Sequence, residues 1–139
     1  MKRSVSCVAL VVCAVALSSC ASPDPATAYG VSAVQFQDVV VPAGMTLRDS
    51  AHESHSRVEA AWRKAHFIYT GQPSVQAAVA YVRERMPQHN WTMVTEEQME
   101  EGGVKIRFER GVYSAEYVLS RTEGATLMVV DYDTQFQHR

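Results

Sequence analysis

The sequence predicts an α+β domain of two layers, one amphipathic helix packed on a curved, mainly antiparallel sheet. Three observations predict it. Val75, Ala78, Val79, Val82 and Met86 recur at the offsets of one helical stripe. Val104, Ile106 and Phe108 alternate with charged residues, and after Arg110-Gly111 the alternation resumes at Tyr113, Ala115, Tyr117 and Leu119. A third alternating run, through Met128, Val130 and Tyr132, follows Glu123-Gly124. A helix that must cover something apolar, beside hairpins with one apolar face, makes helix-on-sheet the natural packing.

The chain of 139 residues opens with a segment of different character. Met1-Lys2-Arg3 is basic, Val5 to Leu17 is almost wholly apolar, and Leu17-Ser18-Ser19 leads into Cys20. Basic start, short apolar run and small-residue exit are the parts of a secretory signal. The apolar run is shorter than the roughly 20 residues a membrane-spanning helix needs. Leu17-Ser18-Ser19-Cys20 resembles the lipobox of bacterial lipoproteins. That resemblance implies cleavage after residue 19, a diacylglyceryl group on the Cys20 thiol and an acyl chain, typically palmitate, on its new amine. More than one acyl chain gives stable anchoring where a single chain binds only marginally. Ala21 follows the cysteine, which in this family favours the outer membrane, facing the periplasm, over retention at the inner membrane.

Three regions are expected: a signal peptide at 1–19, a lipidated cysteine and tether at 20–34, and one folded domain at 35–139. The tether is small, polar and proline-containing, as a flexible linker should be. Without residues 1–19 the chain has 120 residues, with 11 basic against 15 acidic side chains. That balance argues against nucleic acid as a partner, which calls for a basic stripe. The other cysteines, Cys7 and Cys13, fall in the signal, so 35–139 contains no disulfide, thiol nucleophile or cysteine metal ligand.

Along the domain, Phe36 to Val41 is β-branched and aromatic and predicts a strand ended by Pro42-Ala43-Gly44. Residues 46–57 are polar and aperiodic and predict a surface loop. Ala65, Phe67 and Tyr69 alternate with His66, Ile68 and Thr70, so 62–70 is a strand closed by Gly71. Pro73 or Ser74 suits the helix start, Pro87 prevents its continuation, and Gln76, Arg83 and Glu84 form its polar face. A strand over Trp91 to Thr95 follows the His89-Asn90 turn. A two-residue turn at Arg110-Gly111 would set Phe108 opposite Tyr113, Ile106 opposite Ala115 and Val104 opposite Tyr117, with Lys105 facing Glu116. The turn at Glu123-Gly124 sets Leu119 beside Met128, Tyr117 beside Val130 and Ala115 beside Tyr132. Both registers put apolar partners on one face.

Val41-Pro42-Ala43-Gly44-Met45, Tyr69-Thr70-Gly71, Arg85-Met86-Pro87 with Asn90-Trp91, and Phe108-Glu109-Arg110 resemble a group of small uncharacterised bacterial lipoproteins. In these a "VP-x-GM" strand precedes a helix ending in "MP" and a "GW" strand. Asn90 stands where that pattern has glycine, and asparagine also tolerates a left-handed turn. The resemblance implies a fold and no activity.

Signals of chemistry are sparse. His52-Glu53-Ser54-His55 lacks the four-residue spacing of the zinc-protease motif. His52 and His55 could still share a metal on a helical turn, with Glu59 as a third ligand, but a solvated loop is the favoured reading, so no metal or cofactor is expected. There is no nucleophile elbow and no phosphate-cradling glycine loop. Glu96, Glu97, Glu100 and Glu101 read as a solvated hairpin loop, and Asp131 and Asp133 as outer-face electrostatics. Trp62, Trp91, Tyr69, Phe67 and Tyr81 could line a ligand cleft but read mainly as core. The hairpin registers gather Val118, Leu127 and Val129 on the outer face, and a contiguous apolar patch there suits a partner. The sequence thus predicts a non-enzymatic binding or structural module at the envelope membrane, its partner an envelope protein or a second copy. The alternative is a small-ligand or metal-binding lipoprotein using the His52–Glu59 loop or an aromatic cleft.

Overall fold

A computed structural model describes residues 35–50, 52–60 and 62–135. The expected signal and tether, including Cys20, lie outside the described residues. The described residues form seven strands and one α-helix: β1 (Met45–Leu47), β2 (His55–Glu59), β3 (Trp62–Gly71), α1 (Val75–Arg85), β4 (Thr92–Gln98), β5 (Val104–Arg110), β6 (Tyr113–Thr122) and β7 (Ala125–Thr134). The strands make one sheet in the order β1-β3-β7-β6-β5-β4, with β2 also paired to β3. Every pairing is antiparallel. β1 and β2 share the same edge of β3, one against each end of it.

Alternation along the strands builds the core. Phe67, Ile106, Phe108, Ala115, Tyr117, Leu119, Met128 and Val130 are fully buried on the inner face. Helix α1 lies on that face and connects β3 to the far edge strand β4, sealing Val75, Ala78, Val79 and Val82 against the sheet. Each of the larger side chains contributes about 1.5–3 kcal/mol by leaving water. Ser74 caps the helix by accepting from the Ala77 N–H at 3.2 Å. Met86 follows the helix and is fully buried; Pro87 stands in the 3-10 turn that closes it, and Asn90 ends that turn with φ of 63°. Asparagine supports this left-handed conformation better than most residues with a side chain.

Four expectations are corrected. Phe36 to Val41 is not a strand: Val39 N–H donates back to the Phe36 carbonyl at 3.1 Å, making a turn. Its apolar side chains plug the core instead, Phe36 meeting Phe67 and Tyr132 edge-on at 5.7 and 4.8 Å. The edge of β3 it could have joined is taken by β1 and β2, which arise within the stretch expected as loop 46–57. Only 48–54 connects them, and Ser54 in it is buried, its hydroxyl accepting from the Ile68 N–H at 2.9 Å. Glu96 and Glu97 belong to β4, which runs past the expected Thr95 with an irregularity between Met93 and Thr95; Glu100 and Glu101 alone make the loop.

The first hairpin register is shifted. Arg110 pairs with Tyr113, Phe108 with Ala115, Ile106 with Tyr117 and Val104 with Leu119. The turn is Gly111-Val112, with Gly111 at φ of 59° in the first central position, where a type II′ turn needs glycine. Moving the turn by one residue moves the register by two, so each side chain keeps its face. Lys105 and Glu116 still meet, at 3.0 Å, as diagonal neighbours. The second hairpin is as expected: Leu119 pairs with Met128, and Glu123 and Gly124 both have positive φ, the type I′ pattern.

Candidate functional site

At one end of the sheet, charge intrudes on the inner face. The parity that buries Ala65, Phe67 and Tyr69 on β3 also points Arg63 inward, and the parity of Val104, Ile106 and Phe108 does the same for Arg110. Together with Phe36, Asp38 and Val58 they line a cleft of about 480 Å³. Thr134 holds the base of Arg63, accepting from its N–H at 2.8 Å and donating to its carbonyl at 3.0 Å.

The two arginines differ in company. Arg110 is paired with the Asp38 carboxylate, donates to the His89 carbonyl at 3.1 Å and lies 4.7 Å from the Trp91 ring centre. Asp38 also accepts from the Tyr132 hydroxyl at 3.3 Å, while its carbonyl accepts from Trp91 Nε1 at 3.1 Å. This interlock fastens the 36–40 turn to β5, β7 and the start of β4. Burial first, and then Asp38, push the Tyr132 hydroxyl up to about 12 against the opposing pull of Arg110 and Arg63. The Arg63 guanidinium sits 5.8 Å from the Phe36 ring centre and 5.9 Å from that of Tyr113. No carboxylate or hydrogen-bond acceptor among the described residues meets it. Its planar fork of donors is held by aromatic faces and left for another acceptor. Among the lining residues named, the one carboxylate, Asp38, is already engaged.

The outer face carries the apolar patch. Val118 pairs with Val129, and Val129 with Ile68 on its other side, so three strands contribute one continuous row; Leu127 lies next along β7, between Thr70 and Ser120. All four are half-buried. Ile68, on the strand nearest the sheet's other edge, was not in the expected set.

The other expected site residues are dispersed. His52 is exposed in the 48–54 connection, His55 opens β2, and Glu59 ends it in an ion pair with Arg57. His52 lies in a turn and His55 and Glu59 at the two ends of the strand that follows, so the three do not share one helical turn. No group of three His, Cys, Asp or Glu able to hold a metal is found among the described residues. Trp91, Tyr69 and Phe67 are core; Tyr81 is exposed on the helix beneath Arg85, and Trp62 is half-buried beside Arg57. Asp38, Arg63 and Arg110 were not singled out from sequence, although a charge at an inward strand position was the available signal. No helix among the described residues is long and apolar enough to cross a membrane.

The chain was compared with protein-family models, curated proteins and solved structures. None matches.

Proposed function

We propose that this chain is a membrane-tethered, non-enzymatic binding module of the cell envelope, anchored through lipid on Cys20 and using the Arg63–Arg110 cleft to hold an anionic group. The scaffold reads as two layers, a curved sheet under a helix and the 36–40 turn, with the cleft beside that turn. The observation that carries the binding role is Arg63: a cation fixed between Phe36 and Tyr113 with its donors uncommitted among the described residues. A guanidinium so placed suits a carboxylate or a phosphate, which it can grip with two parallel hydrogen bonds. Arg110 stacks on Trp91, so occupancy of the cleft should alter indole fluorescence. Titration with small carboxylates and with inorganic phosphate should give a saturable change that Arg63→Ala removes and Arg63→Lys weakens. An identical titration in Arg63→Ala would reject the cleft as the site.

The tether is tested separately by the intact mass of membrane-extracted protein, wild type beside Cys20→Ser. Loss of residues 1–19 with added lipid, abolished in the mutant, supports it; an unlipidated wild type recovered in the soluble fraction sinks it. A second reading, that the outer face docks an envelope protein or another copy, is favoured by the unbroken row Ile68, Val129, Val118 with Leu127 beside it. Val129→Lys should then change the size or the co-purifying proteins, and unchanged behaviour would remove it.

A further inference from the structure

We infer that His55 and His66 form a cross-strand site for a zinc-class divalent cation, with Asp131 orienting His66 from behind. His55 on β2 is paired directly with His66 on β3, and their rings are stacked with centres 5.6 Å apart and planes 27° from parallel. His66 is paired in turn with Asp131 on β7, and its Nδ1 lies 2.6 Å from Asp131 Oδ1. In the neutral ring that contact makes Nδ1 the donor and leaves Nε2 with a free lone pair. A carboxylate behind a histidine is the arrangement that fixes the tautomer of a metal-binding imidazole and raises its basicity.

The position of His55 completes the argument. Its ring is exposed and makes no hydrogen bond among the described residues, so it is free to turn. Two metal–nitrogen bonds of about 2.0–2.1 Å at a tetrahedral angle require the nitrogens to approach to about 3.3 Å. Rotation of the exposed His55 ring about its own side chain can close that gap without disturbing either strand. Two imidazoles favour zinc, nickel or copper over calcium or magnesium, and water would fill the remaining positions. The facing charges permit a cation: Asp131 and Asp133 stand on β7, Glu116 on β6 is already paired with Lys105, and opposite them are Lys64 on β3 and an Arg57 already paired with Glu59. With two protein ligands the site is open, suited to exchangeable binding and not to structural closure.

The test follows the histidine ring protons of the full chain by NMR during Zn²⁺ titration, since zinc held by Cys7, Cys13 or Cys20 leaves these signals alone. The ring signals of His55 and His66, assigned by loss in each alanine variant, should shift together and saturate, with those of His89 and His138 still. His55→Ala, which removes an exposed ring without hydrogen bonds among the described residues, should abolish the His66 response while the rest of the spectrum stays native. Asp131→Asn should weaken binding about tenfold or more, as loss of an orienting carboxylate does. Still signals from His55 and His66 up to millimolar Zn²⁺ would overturn the site. So would an unaltered His66 response in His55→Ala, or full affinity in Asp131→Asn.

Discussion

Tyr69 and Tyr117 are both buried tyrosines on the inner face, yet removing their hydroxyls should have opposite effects. Tyr69 is 1% exposed and its hydroxyl has no hydrogen-bond partner among the described residues. Tyr117 is fully buried, but its hydroxyl accepts from the Val40 N–H at 3.1 Å and contacts Met86 Sδ at 3.3 Å. An unsatisfied buried polar group costs about 1–3 kcal/mol, so Tyr69→Phe removes a penalty and should stabilise the domain by about 1 kcal/mol. Tyr117→Phe removes a made bond and strands the Val40 N–H, so it should destabilise by about 1–3 kcal/mol. For a domain of this size 1 kcal/mol shifts Tm by about 4–8 °C, within reach of calorimetry or urea unfolding. The two variants differ from wild type by one oxygen each, so their contrast isolates hydrogen bonding from packing. A loss of 1 kcal/mol or more in Tyr69→Phe would mean that its hydroxyl is bonded, and would refute the reasoning.

The same tyrosines set an alkaline limit. Burial raises Tyr69, Tyr117 and Tyr132 above the usual phenol value, so the folded chain keeps protons that the unfolded chain releases from about pH 10 upward. Stability is therefore intact below pH 10 and falls above it by about 1.4 kcal/mol per pH unit for each such group, which urea midpoints from pH 9 to 12 would show as a steepening decline. Gly71→Ala should cost about 2–3 kcal/mol or more, because the added Cβ would lie 2.3 Å from the Gly44 carbonyl oxygen and 2.8 Å from Met45 Cα, backbone that must move. A far-UV melt would report it, and a Tm within 2 °C of wild type would refute the close approach. Ser74→Ala loses the helix cap and should lower stability by about 1 kcal/mol, whereas Ser74→Asp should preserve it.

How much of this was legible depends on whether a feature is local. The helix with its stop at Pro87, strand β3 and the second hairpin follow from side-chain period and turn chemistry, which nearby residues settle. The first hairpin shows the limit. Registers two residues apart bury the same face, and only the demand of a II′ turn for glycine in its first central position selects the observed one. The 36–40 segment failed differently. Its residues favour strand intrinsically, but its hydrogen bonds go to its own turn and to the Tyr117 hydroxyl, choices made by tertiary packing.

The cleft was illegible for a related reason that is itself informative. Arg63 and Arg110 occupy inward positions that alternation alone would assign to apolar residues, and each solves the resulting desolvation in its own way. Arg110 is neutralised by Asp38 and buttressed by Trp91, so its charge is absorbed into the scaffold. Removing either partner would leave the other half-buried and unpaired, a loss that exceeds the value of the pair itself. Arg63 has aromatic faces but no acid among the described residues, so its desolvation is only partly offset. A charge retained at an inward strand position without such a partner is a local violation of the pattern that builds the rest of the core. Departures of that kind gather where a protein does something other than fold. It is this asymmetry between two arginines that both contact the 36–40 turn, and not the volume of the cleft, that directs the binding proposal to Arg63.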